Sequence, residues 1–390
     1  MKKILFLCCI IFHGILSFGV DLKTFVPVSP SIGSARFSGM GGPHTAMTDC
    51  DFESFFNNPA VFGFVQDEKW MFSRLSAKIE GPTMELLNSI PKLKSGGSEV
   101  LNVLTPFITA SNGLTITGDV QGPLAFGWMD RNIGIGVFNR TFSSLSAPNM
   151  TTSYFNLGEE IALYCSYGRV VLDKPHHVVT VGGTAKGFLQ FILSQNGSAS
   201  QVVDSIADFN IKEIPVIFSR GFGIDVGAQY ILYNVVSFGI SIRDLLSPAF
   251  YSLHGNLKDL FTGKAAQDVR YGFLKPNLAL GLCYSPNIPW LSNYITRWDF
   301  MIDYYNLLDF IPFITPYFRN PILNLSVGTE LTIHNVLRFR MGLNEGYLAA
   351  GTGLDLSFCK MDISISGKEL GYEPGSNPQY VMEFTLTFDY

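Results

Sequence analysis

The sequence predicts an all-β chain, a transmembrane antiparallel β-barrel of about 14 strands with an N-terminal hatch inside its lumen. Three observations carry this expectation: many short segments in which apolar and polar residues alternate, a low charge content, and a glycine-rich stretch that does not alternate ahead of the first strand.

The amino terminus comes first. Met1-Lys2-Lys3 gives a positive start, Ile4 to Leu16 is mainly apolar, and Ser17-Phe18-Gly19 supplies small residues for cleavage. Residues 1–19 are therefore expected to be a cleaved secretory signal, too short and wrongly flanked to span a membrane. The mature chain divides into a hatch at 20–65 and a barrel at 66–390. Charged residues make up 15% of the chain against 47% hydrophobic and 14% aromatic, where soluble proteins carry roughly 25% charged residues. Beyond the signal there is no apolar run of about 18 residues, which excludes helical spans. A hydrophobic chain without such spans fits strands that carry their apolar residues at every second position. The net charge of −5 comes with no basic block, so nucleic acid is not an expected partner. Cys50, Cys165, Cys283 and Cys359 have no metal-ligand spacing, and their pairing cannot be deduced from sequence.

The alternation is clearest at the end of the chain. Tyr380, Met382, Phe384, Leu386, Phe388 and Tyr390 interleave with Val381, Glu383, Thr385, Thr387 and Asp389, and a strand sends these two sets to opposite faces. Leu337, Phe339, Met341 and Leu343 interleave with Arg338 and Arg340 in the same way. Turning either arginine toward lipid would cost ~2–4 kcal/mol at mid-membrane depth, so the polar set is expected to face the lumen. Strands are expected from 66–80 through 121–130, 132–143 and 156–172 to 380–390, the last pairing with the first. Tight turns such as Asp130-Arg131-Asn132 and His334-Asn335 nearly alternate with longer links such as 81–120, 144–155 and 194–216. Short periplasmic turns and long external loops have that rhythm. A soluble β-helix or sandwich is the competing fold. In the first long link, 84–94 and 98–108 carry helical periodicity.

A barrel of this size leaves a lumen wider than its own side chains fill. The run from Gly33 to Ala60 is the candidate filler. Its elements Gly39-Met40-Gly41-Gly42 and Asn58-Pro59-Ala60, set after a signal peptide, resemble the hatch of the FadL-like family of outer-membrane long-chain fatty-acid transporters. The stretches beginning at Gly134 and Gly342 resemble this family too, especially its spirochaetal-type and Bacteroidetes-type branches. The resemblance implies a fourteen-stranded barrel in the bacterial outer membrane, gated by Gly39, Met40, Gly41, Gly42, Asn58, Pro59 and Ala60. It also implies passive uptake of hydrophobic molecules, long-chain fatty acids foremost, with lateral release near the third strand, where Gly134, Gly136 and Asn139 lie. The family's ligand-pocket residues do not match position by position.

No enzyme constellation, cofactor or metal site is expected. His176-His177 reads as a solvated turn, His44 as a plug hydrogen-bond donor or, less favoured, a pH-sensitive latch, and Asp299 with Asp303 as lumen lining. For an amphipathic acid, Lys186, Arg338 and Arg340 are the candidate carboxylate partners, set against the alternative that they pair with Glu330, Asp355 or Glu383. Phe310, Ile311, Phe313 and Ile314 form a candidate hydrophobic capture loop. Expected partners are a long-chain fatty acid or other hydrophobic ligand, outer-membrane lipids, and the barrel assembly machinery, whose terminal-aromatic signal Tyr390 resembles. The chain is expected to be a monomer. The rival functions are a surface scaffold or secretion-associated barrel, and a diffusion porin, which the plug and the apolar loops disfavour.

Overall fold

The computed structural model describes residues 29–82, 97–110, 113–202, 214–288, 294–310 and 319–390. The expected signal, the helix at 84–94 and Ile311, Phe313 and Ile314 lie outside the described residues.

Seventeen strand segments occur among the described residues. They begin with β1 Lys69–Gly81, β2 Leu114–Gln121, β3 Phe126–Asp130, β4 Ile133–Asn149, β5 Thr152–Lys174 and β6 His177–Gly197. Next come β7 Val216–Leu232, β8 Val236–Leu246, β9 Pro248–His254, β10 Asp268–Phe273, β11 Asn277–Tyr284 and β12 Ile295–Tyr304. The last are β13 Leu325–Ile333, β14 Leu337–Asn344, β15 Tyr347–Asp355, β16 Lys360–Glu369 and β17 Pro378–Asp389. β2 and β3 both pair with β1 and with β4. β8 and β9 share β7 as neighbour, and β10 and β11 continue that arrangement. Each of these three pairs is one interrupted stave, which leaves fourteen staves. β1 pairs antiparallel with β17, Leu75 opposite Leu386 and Ile79 opposite Met382, so the sheet closes.

The two faces are inverted relative to a soluble sandwich. Phe339, Met341 and Leu343 are exposed on β14 while Arg340 between them is buried. On β17, Tyr380 and Phe388 are exposed and Glu383 and Thr385 are buried. Apolar outside and polar inside is stable only with lipid around the barrel. Tight turns occupy one end. Arg131 and Asn132, Tyr233 and Asn234, and His334 and Asn335 all have positive φ, as two-residue hairpin turns of the primed type require. The opposite end carries a helix at Gly97–Ile108 and a shorter one at Leu257–Phe261. The link expected at 144–155 is instead hairpin: β4 and β5 pair out to Asn149 and Thr152. Phe142, Leu145, Phe155 and Leu157 sustain the pattern there through a serine-rich stretch that reads as loop.

Residues 29–65 do not join the sheet. They hold helix α1, Ala35–Gly39, and two 3₁₀ turns, Phe52–Phe56 and Pro59–Phe64. Each start is capped by a short polar side chain: Ser34 accepts from Phe37 N, Asp51 from Glu53 N and Asn58 from Ala60 N. This segment bonds to Thr385 of β17, Glu330 of β13, Asp303 of β12 and Ala228 of β7. A segment that touches opposite walls of a closed barrel lies in its lumen. It is a plug.

Candidate functional site

Plug and wall meet backbone to backbone. The Met40 carbonyl occupies the space that a Cβ on Gly328 or Gly342 would need, so the wall glycines let the plug lie directly on the sheet. Gly39 abuts Gly351, and Gly41 and Gly42 follow with φ of 78° and 101°. Ser326 donates to the Gly41 carbonyl and Tyr305 to that of Gly42. Asn58 Nδ2 donates to the Thr45 carbonyl at 2.9 Å and to that of Ala228 at 3.2 Å. The Pro59 carbonyl and Ala60 N press on Gly182.

Charges hold one side of this contact. Arg36 lies 2.7 Å from Glu330, 2.7 Å from Asp51 and 3.0 Å from Asp49. Arg340 reaches the same Glu330 and Asp362, each at 2.6 Å. Arg74 pairs with Glu53 at 2.8 Å. Burial alone would raise the Asp49 carboxyl, but Arg36, with Arg297 and Arg338, holds it at about 2. Lys186 lies 2.9 Å from both Asp225 and Asp244, and Arg338 lies 2.8 Å from Asp355. All three candidate carboxylate partners thus face inward, and each is matched to a wall carboxylate. Asp303 accepts from His44 N at 2.9 Å and Thr45 N at 2.7 Å, so it anchors the plug. Leu307–Phe310 of the candidate capture loop form a 3₁₀ turn.

The other side is apolar. Phe55 and Phe62 of the plug pack at 5.0 Å between ring centres, Phe56 on Phe138 at 4.8 Å and on Tyr164 at 4.6 Å. Most of these are tilted or edge-on contacts, the favourable geometry for aromatic rings. Gly134 and Gly136 lie beneath these rings, where a Cβ would run into Phe62, Phe55 and Phe138. From this cluster an apolar lane continues along β6 to β9 through Phe188, Ile192, Ile217 and Leu253. In the other direction it reaches Met71, Ala125 and Met129.

Ala125 belongs to the interruption of the second stave. Between Gln121, opposite Arg140, and Phe126, opposite Val137, four residues of that stave face only Phe138 and Asn139 of β4. Gly122 turns with φ of 82°, Ala125 points into the lane, and Leu124 stands 74% exposed on the outer face. The third stave, β4, runs unbroken; its Asn139 donates to the Gly122 carbonyl at 3.4 Å. The aromatic cluster and this interruption were not singled out from sequence. Gly122-Pro123 inside an alternating run was the available signal, because proline in a strand marks an edge or a bulge.

No family model matches this chain, and no curated protein matches it. Solved structures do. The toluene transporter TbuX of Ralstonia pickettii is 14% identical, covering 92% of this chain and 98% of its own, with a TM-score of 0.51. The toluene transporter TodX of Pseudomonas putida is 14% identical over 92% and 98%, with a TM-score of 0.47. A Pseudomonas aeruginosa FadL homologue is 12% identical over 93% and 98%, with a TM-score of 0.45. The fold and its contents define a class, a closed β-barrel with an apolar outer face whose lumen holds its own N-terminal segment. Its fold is similar to that of TbuX.

Proposed function

We propose that the protein is an outer-membrane channel for passive uptake of hydrophobic molecules, gated by the plug and discharging sideways into the membrane. The observation that carries this reading is the apolar lane. It runs along the inner wall and includes Ala125, inside an interruption that has a greasy residue, Leu124, on its outer side. A hydrophobic molecule loses nothing on passing from such a lane into lipid, whereas a polar solute would lose hydrogen bonds on entering it. TbuX and TodX, similar in fold, are toluene transporters. The plug is bonded to many staves, so its gating role is a local shift of Phe55 and Phe56 against Phe138 and Tyr164, with the anchor at Arg36 kept. Long-chain fatty acids are the finer candidate from sequence. Because Lys186, Arg338 and Arg340 already have wall carboxylates, the reading rests on hydrophobic cargo and not on a clamp formed by these three.

Reconstitution tests it. A labelled hydrophobic probe is expected to enter vesicles with an asymmetric lipopolysaccharide outer leaflet faster with this protein than with an unrelated barrel, with little steady ion current. Equal rates would refute the channel.

A further inference from the structure

Beside the interrupted second stave the wall is polar on both faces at one height. On the inner face a rung of direct cross-strand neighbours runs Gln121, Arg140, Glu160, Gln190. Glu160 accepts from Gln190 at 2.6 Å, and Arg140 lies 2.5 Å from Asp119. On the outer face, where neighbours such as Val137, Ile161 and Leu163 are apolar and exposed, Asn139 and Thr141 both donate to the Glu159 carboxylate. A carboxylate on a lipid-facing strand is costly, so its presence beside the interruption that the lane reaches at Ala125 calls for a cause.

Two features give the chemistry. On the inner face Asp119 and Glu160 share one guanidinium, Arg140, and on the outer face Glu159 is met by Asn139 and Thr141; Lys78, opposite Asp119, and Lys368 are both paired with Glu80, so four carboxylates stand against three cations. The locality therefore carries excess negative charge. Independently, Gln121 is 3% exposed, and its Oε1 has no hydrogen-bond partner among the described residues while its Nε2 donates to Asp119. Asn139 Oδ1 is likewise unpartnered among them. Buried acceptors left unmet are costly and invite a donor. The place lacks donors, not acceptors.

We propose that the cargo is a hydrophobic molecule with a hydrogen-bond-donating head, a hydroxyl or an ammonium. Gln121 and Glu160 receive that head inside, and Asn139 and Glu159 receive it outside as the apolar tail enters the membrane. This rests on the channel reading and narrows its substrate class. It disfavours carboxylate heads, which would meet Asp119 and Glu160 inside and Glu159 outside.

The test uses the full-length protein in lipid nanodiscs at pH 8 and four radiolabelled probes of equal chain length: 1-dodecanol, dodecylamine, dodecane and dodecanoate. Dodecanol and dodecylamine are expected to bind ~10-fold tighter than dodecanoate, a difference of about 1.4 kcal/mol. Glu159→Gln and Gln121→Leu, each checked for a native heat-modifiable gel shift, are expected to lower the dodecanol-to-dodecane affinity ratio by ~3–10-fold, the worth of about one hydrogen bond. Dodecanoate binding as tightly as dodecanol, or a ratio unmoved by both variants, would overturn the proposal while dodecane binding left the channel intact. Binding of none of the four would overturn both.

Discussion

Arg36 of the plug and Glu330 of β13 form a two-pronged pair, Nη2 to Oε1 at 2.7 Å and Nε to Oε2 at 3.1 Å, with both side chains almost wholly enclosed. It ties the plug to the wall directly. Removing one member of an enclosed pair leaves the other charge uncompensated, at a cost of roughly 3–5 kcal/mol. Glu330→Gln is therefore expected to loosen the plug, seen as faster proteolysis of residues 29–65 in barrels that remain folded. Arg36→Met combined with Glu330→Gln is expected to cost less than the sum of the two, because the single changes share one interaction.

The plug also carries a pH dependence in two steps. Burial pushes the His44 imidazole down, Asp303 and the Gly42 carbonyl pull it up, Arg243 adds to the downward push, and the net is below the ordinary value of 6.5. A depressed group contributes stability that is complete above its unfolded pKa and is lost as pH falls through the folded one. Plug protection in hydrogen exchange is thus expected to decline as pH drops below about 6.5. Asp49, lowered from 3.8 to about 2, adds a second decline between those two values. His44→Gln is expected to abolish the upper step and keep the lower. An unchanged upper step would assign it elsewhere.

Packing beneath the aromatic rings is equally specific. Gly134→Val would drive its side chain into Phe62 and Phe55. Overpacking of this kind costs roughly 1–3 kcal/mol. The folded fraction in a heat-modifiability titration is expected to fall, and Phe62→Ala in the same chain to restore part of it. Failure of that rescue would mean that Gly134 serves the strand and not the plug.

Most of the barrel was legible because a membrane barrel writes its two faces into consecutive residues. Phe384 and Glu383 need no partner to reveal which side each takes. The plug was legible as a place, since Gly39 to Gly42 and Asn58 to Ala60 break the alternation, but not as a set of contacts. Arg36 finds Glu330 across 294 positions of chain, and nothing local in either residue marks the other. The second stave misled for a physical reason. Its first half, Leu114–Gln121, has only three large apolar residues, Leu114, Ile116 and Val120, with Gly118 breaking the series, so its alternation is weak, and the Gly122-Pro123 step then hides that both halves share one stave. The lane along β6 to β9 was hidden too, since a strand face mixing Phe188 with Gln190 resembles neither lumen nor lipid.

The most direct measurement pins the interruption shut. Ser73 Oγ donates to the Pro123 carbonyl at 3.1 Å, so Ser73→Cys with Pro123→Cys places two thiols across it, with Cys50, Cys165, Cys283 and Cys359 replaced by serine as background. Uptake of a labelled hydrophobic probe is expected to fall at least ~10-fold when the pair is oxidised and to return on reduction, a barrier of about 1.4 kcal/mol or more. Uptake that is equal in the oxidised and reduced states, with the crosslink verified by mass, would contradict lateral discharge at Gly122–Ala125.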